Sequence, residues 1–438
     1  MKKLMPLILP VIILLAACSK KDEPVPPDTT LSVTSMTPTT GTYGTVVTIT
    51  GKKFSTAAGS NIVKVNGMAA VVNTATATEL QIVIPPKAGS GVVTVQTGTQ
   101  TATGPTWTHI YQPTVSTFAG SGTAGYADGN GTAAQFNFLA FSTACVDGSG
   151  NLFIADRGNN RIRKITPAGV VTTVAGNGTA GNTDGPAATA QFNIPRGISV
   201  DASGNLYVAD NGNHCIRKIS STGTVSTLAG TGVNGFADGA GNVAQFSFPN
   251  AIHFDNNSGN LYVTDQNYRL RKITSAGVVS SIAGSGVFGF ADGNGAAAQF
   301  SLILGMGTTS NGDIYASDVN NHRIRKITPA GVVTTYAGTG AGGNTNGNAA
   351  SATFYFPTGI AIDATGNIFT AQPFNNNIRM ISSSSVVSTF AGKGTTGSTN
   401  GAGSVAEFNT PRAIAISNDG IIYVIDSDNE IVRKIILE

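Results

Sequence analysis

The sequence predicts an all-β fold, in which a small β-sandwich is followed by a six-bladed β-propeller. The chain has 438 residues, with 55 glycines and only 11% charged residues, which is typical of short strands joined by many turns. A strand that opens with an aromatic residue recurs six times at steps of 53 to 55 residues, and such a period indicates stacked copies of one unit. The array begins with a single strand that has no blade before it, and it ends with a copy that lacks this strand. The recurring aromatic residues are Phe153, Tyr207, Tyr262, Tyr315, Phe369 and Tyr423.

The amino terminus is predicted to be a signal peptide. Residues 1–17 combine two lysines with an apolar run that is too short to span a bilayer, and this run ends in Leu15-Ala16-Ala17 directly before Cys18. Small residues before a cysteine resemble the lipobox of bacterial lipoproteins, and the resemblance implies cleavage before Cys18 and acylation of that cysteine. An ordinary secretory signal is the alternative. Residues 18–30 are charged and proline-rich, so we expect a disordered tether. A charged run in this place is similar to the surface-export signal of Bacteroidota lipoproteins.

The charge balance gives no reason to expect a nucleic-acid partner. Without Lys2 and Lys3 of the removable segment, 24 basic residues stand against 23 acidic ones.

Residues 31–110 are predicted to form the sandwich, because short alternating strands are separated there by glycine, proline and asparagine turns. Their spacing resembles that of the IPT/TIG immunoglobulin-like domain. The resemblance implies a spacer or interaction module, and we assign no site to it. The residues that carry it are Pro38, Gly41, Gly44, Val47, Thr48, Ile49, Gly51, Phe54 and Ile84-Pro85-Pro86.

Residues 115–438 are predicted to form the propeller. In the copy at 205–230, LYVAD, CIRKI and VSTLAG have strand patterns, and the joints between them have turn chemistry. With IPRGISVD in front, each period supplies four short antiparallel strands, which make one blade. The array opens with an orphan strand at 115–120 and ends with a blade that lacks this strand. We therefore expect 115–120 to pair with residues 430–436 and close the ring.

The units resemble NHL repeats, as in Asp156-x2-Asn159-x-Arg161-Ile162 and Asp318-x2-Asn321-x-Arg323-Ile324. The resemblance implies an NHL-type propeller in which these polar residues tie the turn between the second and third strands. One arginine recurs in all six units, which indicates a role in building the blade. These arginines are Arg163, Arg217, Arg271, Arg325, Arg379 and Arg433.

The loops between blades carry motifs that could suggest chemistry. Each closing strand is followed by G-x-G-x-x-G, but no helix follows to present its amino terminus to a pyrophosphate, so we predict no cofactor. The loops continue into Asp-Gly or Asn-Gly, which favours tight turns; a calcium site is the alternative, because carboxylate and carbonyl oxygens suit that ion. The residues at this position are Asp128, Asp184, Asp238, Asp292, Asn346 and Asn400. One phenylalanine per unit follows and should pack in the core, namely Phe136, Phe192, Phe246, Phe300, Phe354 and Phe408.

We predict no catalytic residue and no metal site. A metal-dependent lyase or lactonase on a propeller needs several metal ligands that converge on the axis, and His253 is the single candidate among the innermost strands. His214 and His322 share a turn position with Asn160 and Asn376. The alternative function is a propeller hydrolase or lyase with its active site at the axis.

One loop position breaks the repeat and suggests a ligand site. It holds Tyr126, Asn182, Phe236, Phe290, Asn344 and Ser398 in the six copies, and Phe288 adds another aromatic residue. A structural demand would repeat in every copy, whereas a ligand breaks the symmetry. Our hypothesis is that Tyr126, Phe236, Phe288 and Phe290 bind sugar rings or a protein partner; alternatively, the rings only cover the loops.

Taken together, the patterns predict a non-catalytic binding or interaction module. It would be an outer membrane lipoprotein, exposed at the cell surface and attached to the membrane through its lipid anchor. Its ligand, a polysaccharide or an envelope protein, would bind on the face of the propeller that holds the loops.

Overall fold

A computed structural model describes residues 30–86, 88–139 and 141–437. The predicted signal peptide, Cys18 and the predicted tether up to residue 29 lie outside the described residues. The chain divides into two compact units between Ile110 and Tyr111. Within the described ranges, no helix has the length and apolar character needed to cross a membrane.

The first unit is one curled sheet of eight strands in the order β1-β3-β6-β5-β4-β7-β8-β2. All neighbours are antiparallel except β2 and β8. The strands are β1 (Ser32–Thr37), β2 (Thr40–Gly41), β3 (Val46–Lys52), β4 (Asn61–Val65), β5 (Met68–Ala75), β6 (Glu79–Val83), β7 (Gly91–Thr97) and β8 (Gln100–His109).

The predicted two-layered sandwich is thus a continuous sheet, because β5 belongs to both layers. Its first residues pair with β4, as Met68 does with Val65, and its later residues pair with β6, as Val71 does with Val83. The core lies inside the curl and includes the fully buried Trp107, so packing within this unit accounts for the tryptophan.

The second unit is a propeller of six sheets, and the predicted fold class is confirmed. It opens with β9 (Pro113–Ala119), and the blades follow in chain order. The first blade has β10 (Gly129–Asn130), β11 (Ala144–Val146), β12 (Leu152–Asp156), β13 (Arg161–Ile165) and β14 (Val170–Ala175). The second has β15 (Gly185–Pro186), β16 (Pro195–Val200), β17 (Leu206–Asp210), β18 (Cys215–Ile219) and β19 (Thr224–Ala229). The third has β20 (Ile252–Asp255), β21 (Asn260–Thr264), β22 (Leu270–Ile273) and β23 (Val279–Ala283).

The remaining blades repeat this plan. The fourth has β24 (Gly293–Asn294), β25 (Ile303–Thr308), β26 (Ile314–Asp318), β27 (Arg323–Ile327) and β28 (Val332–Ala337). The fifth has β29 (Gly347–Asn348), β30 (Ile360–Ile362), β31 (Ile368–Gln372), β32 (Asn377–Ile381) and β33 (Val386–Ala391). The sixth has β34 (Gly401–Ala402), β35 (Pro411–Ile416), β36 (Ile422–Asp426), β37 (Ile431–Leu437) and, from the start of the unit, β9. Short 3-10 helices lie at Ala58–Ser60, Gly131–Ala133, Arg157–Asn159, Asn211–Asn213, Gly295–Ala297, Val319–Asn321 and Ser427–Asn429.

The sixth blade joins the two ends of the unit. Strand β9 lies between β34 and β37 and is antiparallel to both, with Val115 opposite Gly401 on one side and Ile435 on the other. Its Val115 is fully buried among residues of the fifth and sixth blades, and its Ala119 packs with the first and sixth blades.

Apolar packing between neighbouring blades forms the core of the propeller. Each buried cluster draws its residues from two adjacent blades, as Phe153 and Phe192 do between the first and second. The recurring phenylalanines are all fully buried, which confirms their predicted role in the core.

Candidate functional site

The glycine-rich loops and the turns between second and third strands lie on one face, which we call the loop face. Asn159 donates a hydrogen bond to the carbonyl of Gly125 over 2.7 Å, and its amide also contacts Asp156. Every blade has the same contact, so the third glycine of each G-x-G-x-x-G motif is tied to a turn. The equivalent pairs are Asn213 and Gly181, Asn267 and Gly235, Asn321 and Gly289, Asn375 and Gly343, and Asn429 and Gly397.

The recurring arginine fastens each loop to its blade. In the second blade Arg217 is fully buried and donates to Asp210 over 2.8 Å, to the carbonyl of Gln191 over 2.9 Å, and to Asp184 of the loop. The fully buried Asp210 also accepts from Asn193 N–H and Asn213, so three donors satisfy its carboxylate. The other complete sets are Arg163 with Asp156 and Asp128, Arg271 with Asp265 and Asp238, and Arg325 with Asp318 and Asp292.

These contacts account for the Asp-Gly motif without a metal ion. The carboxylate of Asp184 accepts from Arg217 and, over 2.9 Å, from the N–H of Thr227, and the other three loop aspartates make the same pair of contacts. Among the residues that the structure describes, no three His, Cys, Asp or Glu side chains are grouped so as to hold a metal ion. The loop carboxylates therefore bind the blade arginines.

The fifth blade builds the same network with neutral groups. Gln372 replaces the buried aspartate, and Arg379 donates to the side-chain oxygens of Asn344 and Asn346, both over 2.8 Å. Burial lowers the pKa of Arg379 to about 10 because no carboxylate compensates it. A buried arginine can therefore be held in this scaffold by amide and carbonyl oxygens alone.

The four aromatic residues of the hypothesis lie exposed on the loop face. Tyr126, Phe236 and Phe290 are 44%, 44% and 42% exposed, and Phe288 is 55% exposed. A guanidinium carbon lies over each of the first three rings, 3.8 to 4.0 Å from its centroid, and the guanidinium carbon of the buried blade arginine lies 4.8 to 5.0 Å from the same centroid. Those guanidiniums belong to Arg161, Arg269 and Arg323. Phe288 meets the edge of Tyr268 with a centroid distance of 5.6 Å.

The loop aromatic residues of the repeat position occur only in blades that also have an arginine to stack on them. Blades that lack the loop aromatic residue have Cys215, Asn377 or Ile431 where the other blades have the stacking arginine. The loop residue thus varies together with the strand residue beneath it. Variation between copies is therefore no sign of a ligand by itself, and the partial exposure of the rings remains the argument for binding.

In four blades the side chain that ends the 3-10 turn between second and third strands holds the next blade. His214 Nδ1 accepts from the N–H of Phe248, and His322 Nδ1 accepts from that of Phe356, at 3.2 and 3.1 Å. Both histidines have left-handed backbone conformations, as expected of turn residues. In the sixth blade Glu430 takes this role, and its carboxylate accepts from Phe138 N–H of the first blade over 2.8 Å.

Glu430 should make the stability of the propeller depend on pH. Burial, with the charges of Asp156 and Asp428, raises the pKa of Glu430 to about 7. A raised folded-state pKa means that the folded protein holds a proton that the unfolded chain releases, so this stabilisation is lost as the pH rises from 4.5 towards 7. We expect Glu430→Gln to melt above the parent at pH 8 and to lose that advantage at pH 5.

Glu407 provides a control of opposite sign. Hydrogen bonds from Thr399, Lys393 and Thr395 lower its pKa to about 2. Glu407→Gln should therefore melt below the parent at both pH values. Equal melting of Glu430→Gln and the parent across this range would contradict the assignment.

The residues at the loop-face mouth of the axis were not predicted from the sequence. In each of the six blades one residue lies at the equivalent position where the innermost strand begins, and two of these six residues are arginines. The residues are Ser142, Arg196, Asn250, Leu304, Thr358 and Arg412. Phe141 of the first blade lies among them, in a two-residue insertion between Phe136 and Cys145. That insertion and the two unrepeated arginines were signals available in the sequence.

Beneath this mouth the axis is a channel that widens towards the opposite face. Successive cavities of about 10, 40, 230 and 1000 Å³ share lining residues. An apolar girdle lies directly below the arginines, formed by Ala144, Ile198, Ile252, Met306, Ile360 and Ile414. Further down, burial lowers the pKa of His253 to about 4 and raises the pKa of Cys145, so both side chains are neutral at pH 7. Cys145 and Cys215 are free thiols.

Comparison with known proteins identifies the modules. Residues 31–110 match the model of the IPT/TIG domain, and residues 192–219 match that of the NHL repeat. The chain combines an IPT/TIG domain with an NHL-repeat propeller. It is 30% identical over 282 residues to Protein SUPPRESSOR OF QUENCHING 1, chloroplastic, of Arabidopsis thaliana; the match covers 60% of this chain but only 26% of that protein.

Solved structures share the two-module fold. An auxiliary nutrient binding protein from Bacteroides ovatus matches with a TM-score of 0.61 and 17% identity, over 95% of this chain and 100% of that one. A putative phosphatase from Bacteroides thetaiotaomicron matches with a TM-score of 0.59 and 18% identity, over 93% and 97%. At these identities the likeness establishes the fold alone.

Proposed function

We propose that this protein is a non-catalytic binding module that takes a polysaccharide on the loop face of its propeller. In this proposal it is an outer membrane lipoprotein at the cell surface, held there through acylated Cys18. The observation that carries the binding role is the set of exposed rings on the loop face. The anchor rests on the Leu15–Cys18 pattern, and the similarity to an auxiliary nutrient binding protein agrees with a binding role.

The geometry of the rings supports a sugar polymer as ligand. Each of Tyr126, Phe236 and Phe290 lies against a guanidinium and is still 42% to 44% exposed, so part of each ring is accessible for stacking on a pyranose ring. The arginine beneath each ring fixes its tilt before a ligand arrives, so little side-chain entropy is lost on binding. Rings spread over three blades form a broad surface rather than a pocket, and this suits a chain of sugars.

Replacing the four rings should abolish polysaccharide binding. Each stacked ring typically contributes about 0.5–1.5 kcal/mol beyond its buried area, so the quadruple alanine variant of Tyr126, Phe236, Phe288 and Phe290 should lose well over tenfold in affinity. The measurement is a screen of soluble polysaccharides by affinity electrophoresis, followed by calorimetry with the best ligand. Melting should change little, since all four side chains are largely exposed.

The matched control removes exposed apolar side chains at the other end of the blades. Val278 and Val386 are 45% and 48% exposed, and they lie beside the turns between third and fourth strands. Their double alanine variant should bind as the parent does. Equal affinity of parent and quadruple variant would rule out the rings, and binding of an envelope protein in place of any polysaccharide would overturn the ligand class.

A further inference from the structure

Two arginines lie close together at the loop-face mouth of the axis, on either side of the first blade. Arg196 belongs to β16 and Arg412 to β35. Their guanidinium carbons lie 4.3 and 4.6 Å from the centroid of one ring, that of Phe141, so the two cations lie no further apart than the sum of these distances. Arg196 is only 6% exposed.

Most of the hydrogen-bonding capacity of these guanidiniums is unused. Arg196 donates to the side-chain oxygen of Asn250, while its Nε has no partner. With the residues that the structure describes, the Arg412 guanidinium makes no hydrogen bond and no ion pair, and its buried Nε is also without a partner. The Nδ2 of Asn250, a residue that is 1% exposed, is a third unsatisfied donor at the same place. A guanidinium carries five N–H donors, so this mouth is rich in donors and poor in acceptors.

The charges at this mouth are also poorly balanced. Burial together with the positive charges of Arg157 and Arg412 lowers the pKa of Arg196 to about 9. Asp428 acts on Arg412 from the neighbouring turn. A cation–π contact stabilises a cation by less than the cost of burying an unpaired charge. The ring of Phe141 therefore does not offset the two charges, in contrast to the carboxylates around Arg217.

The scaffold itself does not require this arrangement. The equivalent positions in other blades hold Ser142, Leu304 and Thr358, which build the same innermost strand. Phe141 also has a φ of +82°, which is uncommon for a residue other than glycine. Strained and uncompensated groups that cluster in one place are typical of sites that a ligand completes.

We propose that Arg196 and Arg412 form a site for one anionic group, a carboxylate or a sulfate, of a ligand that docks on the loop face. Planar guanidiniums present paired donors to such oxygens. The cavity between them, about 10 Å³, has room for about one oxygen atom. This cavity is the smallest along the axis, so the rest of the ligand stays on the loop face. The site stands on the axial residues alone and does not depend on the rim aromatics.

The test is saturable binding of small anions to the full chain. Sodium sulfate and sodium D-glucuronate are titrated calorimetrically at constant ionic strength, with D-glucose as the neutral sugar. We expect the parent to bind at least one of the two anions with saturation and not to bind glucose. Arg412→Met keeps the length of the side chain but removes its charge, and it should weaken that binding at least tenfold. The quadruple rim variant should retain it, which separates this site from the rim platform.

The control is another arginine of the loop face. Arg161 stacks on Tyr126 and donates to backbone carbonyls, so Arg161→Met should bind the anion as the parent does. Without added anion, Arg412→Met should melt at or above the parent temperature, because it relieves repulsion. No saturable binding of either anion by the parent, undiminished binding by Arg412→Met, or a clear loss of melting temperature in that variant without anion would each overturn the proposal.

Discussion

Replacing Val115 with aspartate should detach β9 from the sixth blade and so open the ring of the propeller. Val115 is buried on the strand that lies between β34 and β37, where it packs with the fifth and sixth blades. A carboxylate at this point has no partner, and a buried polar group without one costs several kcal/mol. We expect melting to fall by many degrees and β9 to become sensitive to proteolysis, since its detachment opens two strand edges.

The matched control is the next residue of the same strand. Ser116 is exposed and lies opposite Lys434, so Ser116→Asp places the same charge beside a cation and in water. This variant should melt as the parent does and resist proteolysis at β9. If Val115→Asp behaves like Ser116→Asp, then β9 does not hold the ring together.

Removing Asp210 should strongly destabilise the arginine network of the second blade. Its fully buried carboxylate accepts from Asn193 N–H, Asn213 and Arg217, each over 2.8 Å. Asp210→Ala leaves three donor hydrogens without an acceptor and breaks a fully buried ion pair, so that Arg217 retains only Asp184 of the loop as a charged partner. Breaking a buried pair typically costs about 3–5 kcal/mol. Burial raises the pKa of Asp210 to about 6, so melting should be compared at pH 8, where the carboxylate is ionised.

The fifth blade indicates which substitution of Asp210 should cost less stability. There Gln372 accepts from Tyr355 N–H and Asn375, at 2.6 and 3.0 Å, in the geometry of the aspartate. The second blade already has Asn182 at the loop position where Asn344 accepts from Arg379. Asp210→Gln should therefore lose much less stability than Asp210→Ala. Equal losses would mean that charge, rather than hydrogen-bond satisfaction, decides the stability of this network.

Part of the candidate site could be predicted from the sequence. Strand direction alone places the glycine-rich loops and the Asp-x-x-Asn turns on one face, because antiparallel neighbours alternate their ends. The pairing of Tyr126 with Arg161 could not be read in the same way, since it depends on which strand residue lies beneath the folded loop. The axial arginines were missed for a stronger reason. Arg196 and Arg412 are far apart in the chain and meet at Phe141 only when the ring closes.

The sequence by itself determined the repeat, the strands and the turns of this protein. Those features follow from local physics: alternation of apolar residues defines a strand, glycine and asparagine define its turns, and a constant period defines a stack of blades. The tertiary structure alone decided which distant groups meet. It made one curled sheet from the predicted sandwich by sharing β5, matched each loop aspartate to a blade arginine, and brought two buried cations to one ring. Such contacts depend on loop paths and ring closure, which bring together residues that no local pattern relates.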